Sequence, residues 1–99
     1  MNRTEFLAKL ALEQLKTQGM SVSPDMLELA LYYVNAAIAI LKGKSSYDPL
    51  LYANDLANEA IIQYVIAKMK GEPLEGNTAF NAAAQVWSSK AAIDYKYSQ

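Results

Sequence analysis

Three short segments of this chain each join a helix stop to a helix start: Gly19-Met20-Ser21-Val22-Ser23-Pro24, Gly43-Lys44-Ser45-Ser46-Tyr47-Asp48-Pro49 and Gly71-Glu72-Pro73-Leu74-Glu75-Gly76-Asn77-Thr78. Glycine adopts the left-handed conformation that closes a helix, and Ser or Asp followed by proline supplies an N-cap and a first helical residue. Ser23 with Pro24, Asp48 with Pro49, and Asn77 or Thr78 are the expected caps. The stretches between these segments predict four helices, at about 4–18, 24–42, 49–70 and 78–95. Glu5, Asp25, Glu28 and Asp48 fall in or just before first turns, and Lys16, Lys42, Lys68 and Lys70 in last turns, as the helix dipole favours. No stretch alternates at period two for long. The expected fold is all-α, a single small bundle of about four helices in one domain over 1–99, with 94–99 as a fraying helix end or an extended or disordered tail.

The second helix has an unusual distribution of apolar residues. Leu27, Leu31, Val34, Ile38 and Leu41 fall within one sector of about 80° at 100° per residue. Leu29, Tyr33, Ala36 and Ile40 form a second apolar sector on the opposite side, and Glu28, Asn35 and Lys42, spaced by seven, leave only a narrow polar line. A helix apolar on two opposed faces must be covered on both, either within its own chain as a central buried helix or by a neighbouring subunit. The third helix repeats the hint: Leu56, Ala60, Tyr64 and Ala67 form one face, while Ile62, Ile66 and Met69 lie beside Asp55, Glu59 and Gln63, on the expected solvent side. Three apolar residues there at helical spacing predict a contact surface.

The outer helices are simpler. The first has a polar edge of Glu5, Lys9, Glu13 and Lys16, with Phe6, Leu7, Leu10, Leu12 and Leu15 on the remaining surface. The fourth carries Phe80, Ala83, Ala84, Trp87, Ala91 and Tyr95 at spacings of three and four, with Trp87 expected in the core. Seven tyrosines, two of them Tyr95 and Tyr97 near the C-terminal end, add side chains that suit protein interfaces; at the tail they are expected either to dock on a neighbour or to stay disordered.

Composition removes most catalytic chemistry. The chain has no His and no Cys, so disulfides, thiol nucleophiles, Ser-His triads and zinc sites of imidazole or thiolate are excluded. Asp55 and Glu59 stand one turn apart, but two carboxylates without further donors read as a solvated face, and no metal or cofactor is expected. An enzyme or ligand carrier built on Asp55, Glu59 and Tyr64 is the least favoured reading. The glycines of 71–77 lack the Lys-Ser/Thr of a phosphate cradle. A net charge of −1 with Arg3 as the one arginine gives no field for a phosphate backbone or an anionic membrane, and the helix after Pro24 has few side chains that read bases, so no specific nucleic-acid partner and no membrane partner are expected. The run Leu29 to Leu41 is shorter than the roughly 20 residues of a membrane span, and no signal-peptide pattern opens the chain; a cytoplasmic location, or a place in a particle built inside the cell, is expected.

Leu7-Ala8-Lys9-Leu10-Ala11-Leu12 with Leu15, then Gly19, then Ser23-Pro24-Asp25-Met26-Leu27 leading to Leu31 and Val34-Asn35-Ala36-Ala37-Ile38, resembles the opening helices of small head-to-tail adaptor (head-completion) proteins of tailed bacteriophages. Ala53-Asn54-Asp55-Leu56-Ala57-Asn58-Glu59-Ala60, Gly71 and the alanine-rich last helix are similar to their third and fourth helices, although no long insertion or aromatic-rich arm follows the second helix here. The resemblance implies a non-enzymatic viral structural protein, found in the virion or host cytoplasm. It would be a homo-oligomeric ring that binds a larger partner, the portal, and offers the next tail component a platform. Leu29, Tyr33, Ile40, Ile62, Ile66, Met69, Tyr95 and Tyr97 are the interface candidates that the apolar faces and the tail provide. The alternative is a small regulatory helical module that binds one protein partner.

Overall fold

The computed structural model describes residues 2–73 and 78–98. Four helices account for its regular structure: α1 (Arg3–Thr17), α2 (Met26–Ser45), α3 (Asn54–Met69) and α4 (Thr78–Ser98), with no strand among the described residues. The all-α bundle is as expected. Its accessible surface, 5,821 Å², is close to the roughly 5,600 Å² that a folded chain of this mass exposes.

Two of the three glycine stops form as expected. Gly19 has φ +90° and Gly71 φ +75°. Gly19 N–H donates to Lys16 O and Met20 N–H to Leu15 O, both at 3.0 Å, and Gly71 and Glu72 make the same pair of bonds to Lys68 O and Ala67 O at 3.0 and 2.9 Å. This is the Schellman arrangement, which satisfies carbonyls that a helix end leaves open. Gly43 is different: α2 continues through it to Ser45 and closes on Ser46 at φ 66°. A glycine costs an interior helix only about 1 kcal/mol, so its presence does not end a helix whose inner face is packed.

The helix starts moved more. Met26 N–H donates to Ser23 O and Leu27 N–H to Pro24 O, so Ser23-Pro24 forms a single turn and regular α2 follows from Met26. Asp48 likewise opens a turn, its Oδ1 accepting Leu50 N–H at 2.8 Å and its carbonyl accepting Leu51 and Tyr52 N–H at 3.0 Å each. That turn does not propagate. Ala53 sits at φ 50°, ψ 52° and α3 begins only at Asn54. At the chain start, Asn2 caps α1 by accepting Glu5 N–H at 2.8 Å, a cap the sequence reading did not assign. Asn77, one of two caps expected for α4, lies outside the described residues.

The core draws on all four helices, from Leu7, Ala11 and Leu15 of α1 through Val34 and Leu41 of α2 to Trp87 of α4. Alanines at buried positions on every helix (Ala8, Ala30, Ala57, Ala84 among them) let the axes approach closely. The most enclosed helix is α3, which packs against α1, α2 and α4. Ala57, Ala60, Ile61, Ile62, Tyr64, Val65, Ile66 and Ala67 are all buried, so its apolar residues wrap most of the way around the axis and leave Asn54, Asp55 and Glu59 exposed in the N-terminal half. Of the two coverings expected for the second helix, the chain itself supplies only part of one: α2 buries the stripe Ala30, Val34, Ala37, Ile38 and Leu41, half-covers Tyr33, Ala36 and Ile40, and leaves Leu29 and Tyr32 exposed. By length and composition alone α2, 20 residues with a window of mean hydropathy 1.3, is long and apolar enough to cross a bilayer, although its apolar run Leu29 to Leu41 is shorter. In the folded chain its inner stripe belongs to the core of the bundle.

Candidate functional site

The segment between α2 and α3 is where side chains from distant parts of the chain meet. The Arg3 guanidinium donates to Leu50 O at 3.0 Å, Pro49 O at 3.5 Å and Asn54 O at 3.2 Å, and to Asn58 Oδ1 from Nε at 3.1 Å and again from Nη2. From the other side, Trp87 Nε1–H donates to Tyr52 O at 2.9 Å, and Asp94 Oδ2 accepts Ala53 N–H at 3.0 Å while its Oδ1 pairs with Lys90 at 3.1 Å. Backbone groups that a longer α3 would have bonded internally are thus satisfied by α1 and α4. Tyr47, Tyr52 and Tyr95 close the segment as a ring cluster with centroids 5.1 to 6.0 Å apart. Tyr95, expected as a docking residue of a loose tail, is committed to this cluster, and the tail itself is helical to Ser98. These contacts hold the loop against the bundle; the shallow hollows beside them, lined by Asn54 and Asp55 with Arg3 or Lys90, face solvent.

The carboxylates expected as a solvated pair are exposed. Glu59 accepts a bond from Gln63 Nε2 at 3.0 Å, while Tyr64 lies on another side of α3, buried against Tyr33 and Phe80 at ring distances of 6.4 and 5.5 Å. Asp55, Glu59 and Tyr64 are not brought together, and no group of three or more Asp, Glu, His or Cys that could hold a metal occurs among the described residues. Burial raises the Tyr64 hydroxyl above its ordinary pKa of 10.0, helped by Tyr32 and Tyr33. Asp25 is fully exposed, and its carboxyl is lowered by the Ser23 hydroxyl beside it.

The interface candidates divide sharply. Ile62 and Ile66 are 5% and 6% exposed and Met69 packs on the core, so the outer face expected on the third helix is covered by the chain itself. The polar residues that marked it as solvent-facing, Asp55 and Glu59, sit toward the open N-terminal half of α3, and the C-terminal half is closed over. Tyr33 and Ile40 are half-buried against the core. Leu29 stays 47% exposed beside Tyr32 at 67%, and together with Ala39 and Gly43 they line the outward side of α2, next to the exposed polar line of Glu28, Asn35 and Lys42. Tyr97 is 83% exposed, and α4 adds a face that the sequence reading missed. Val86 and Ile93, 52% and 47% exposed, share one line with Tyr97, Ala79 and Ala82, opposite the buried Phe80, Ala84, Trp87 and Ala91. The signal was present as a second set of apolar residues at spacings of three and four. It was hidden because the stronger Trp87 stripe accounted for the helix. A third feature is a groove of about 390 Å³ between α1 and the α1–α2 turn, with Leu12, Val22 and Leu27 along it and Lys9 and Lys16 at its edge.

Comparison of the chain with protein-family models, with curated proteins and with solved structures finds no match in any of the three.

Proposed function

We propose that this protein is a non-enzymatic structural protein whose work is contact: it assembles as a ring of identical copies and serves as the head-to-tail adaptor of a phage virion, linking portal to tail. The observation that carries the contact reading is the pair of outward apolar faces on α2 and α4, helices whose opposite sides already supply the core. Exposed large apolar residues grouped on one helix side, as Leu29 with Tyr32 and Val86 with Ile93 and Tyr97 are, suit an interaction surface. The adaptor reading adds the resemblance of the helix openings, from Leu7-Ala8-Lys9-Leu10 to Ala53-Asn54-Asp55-Leu56, to head-completion proteins. Negative-stain imaging of the purified chain, alone and with the portal of its virion, tests it: closed rings seated on the portal are expected. A chain that forms neither ring nor portal complex contradicts the adaptor role.

A second reading, a small regulatory module that binds one protein partner, has as its support the open groove along Leu12, Val22 and Leu27, an apolar strip edged by Lys9, Glu13 and Lys16. The two differ in stoichiometry. A one-to-one heterocomplex with a monomeric free state supports the second, a homomeric ring the first.

A further inference from the structure

The outward faces of α2 and α4 carry opposite charge at one end each. On α2 the exposed line runs Leu29, Tyr32, Ala39 and Gly43, with Glu28, Asn35 and Lys42 along its edge; on α4 it runs Ala79, Ala82, Val86, Ile93 and Tyr97, with Lys90 and Lys96 on either side. The α2 line covers 14 residue steps and the α4 line 18, about 21 and 27 Å of helix. The α2 line is acidic at its N-terminal end, and the α4 line is basic toward its C-terminal end. Neither Glu28 nor Lys96 has an ion-pair partner among the described residues. The two lines lie on different helices, each opposite that helix's core stripe, so one molecule cannot bring them together.

We propose that the occupant of each face is a second copy of this chain, with α4 of one copy lying antiparallel on α2 of the next. This deepens the ring reading above and rests on it. Antiparallel packing sets Glu28 beside Lys96 of the neighbour, whereas the parallel arrangement would set Lys96 against Lys42 and Lys44. Within one residue of the register that pairs Glu28 with Lys96, Tyr32 lies level with Ile93, Val86 with the small Ala39, and Ala82 with Gly43, so Val86 finds room on the small-residue half of α2. The contact is heterologous. Every copy offers one α2 face and one α4 face, and successive contacts continue until rotation closes a ring.

Two single variants test this, Tyr32→Asp on the α2 face and Ile93→Asp on the α4 face, each checked by circular dichroism to retain its helices and sedimented beside the unaltered chain. Each variant alone is expected to remain monomeric. Their equimolar mixture retains one intact α2 face and one intact α4 face, and it is expected to give a dimer of twice the monomer mass and nothing larger. A mixture that stays monomeric overturns the contact. So does either variant assembling as the unaltered chain does, while the ring reading survives that result. An unaltered chain that is itself monomeric overturns both. The antiparallel orientation has its own readout: Glu28→Lys and Lys96→Glu are each expected to weaken assembly several-fold, and the two combined in one chain to restore it. Failure to restore overturns that orientation.

Discussion

The guanidinium of Arg3, in the first turn of the chain, donates from both Nε and Nη2 to the side-chain oxygen of Asn58, 55 residues away in the second turn of α3. The same group reaches the carbonyls of Pro49, Leu50 and Asn54, so one side chain fixes the α2–α3 connection to the N-terminal helix. A planar fork that fills several acceptors at once is a task for arginine and not for lysine.

Arg3→Ala is expected to lower stability by about 1.5–3 kcal/mol, the range for hydrogen bonds to a charged group. Arg3→Lys should recover little of it. Asn58→Ala should cost less, and in urea denaturation the double variant should cost clearly less than the two losses added, because both remove the same bonds.

Ile62→Asp separates the enclosed α3 from the open side of α2. With Ile62 and Ile38 both buried, Ile62→Asp and Ile38→Asp each place a carboxylate in the core and should cost more than about 4 kcal/mol, enough to unfold a domain of this size. Leu29→Asp, on the outward side of α2, should change the stability of the monomer by only about 0.5 kcal/mol. Thermal melts at low protein concentration check all three.

Substitution of the glycines should reverse sign along the chain. Gly19→Ala and Gly71→Ala force a Cβ into left-handed backbone and should each cost about 1–2 kcal/mol, although open space surrounds both positions. Gly43→Ala, inside α2 with nothing within 4 Å of the added Cβ, should gain about 0.5–1 kcal/mol. Urea midpoints give the three values.

Tyr64 should make the fold sensitive to alkali. Its hydroxyl titrates above 10.0 in the folded chain because burial disfavours the phenolate, so the unfolded chain releases that proton first. The stabilisation is fully present below pH 10 and is lost as pH rises through the raised folded value. Tyr64→Phe should move the alkaline unfolding seen by circular dichroism to higher pH and leave the neutral-pH melt nearly unchanged.

The parts of this fold that were legible in the sequence are those set by a few neighbouring residues. Gly19 and Gly71 end helices because their own conformational freedom and two local hydrogen bonds suffice, and the Trp87 stripe is buried because it carries the largest apolar side chains of its helix, Trp87 and Phe80. The Asp48-Pro49 signal was correct as a turn and misleading as a helix start, since Arg3, Trp87 and Asp94 claim the backbone of 49–54 from across the structure. Ile62 and Ile66 were misplaced for a related reason. Periodicity averages over a whole helix, whereas α3 is open on that side at Asp55 and Glu59 and closed at Ile62 and Ile66. The outward face of α4 was readable as spacing, but its exposure depends on how α4 is rotated against α3.

The central claim is that the outward faces of α2 and α4 are covered by other copies of the chain, and sedimentation velocity of the unaltered protein over a concentration series tests it most directly. The account predicts that the 10.9 kDa monomer gives way, as concentration rises, to a single closed oligomer without a continuing ladder of larger species. A chain that sediments as a monomer up to about 1 mM, where even a contact worth only about 4 kcal/mol would be half formed, contradicts it.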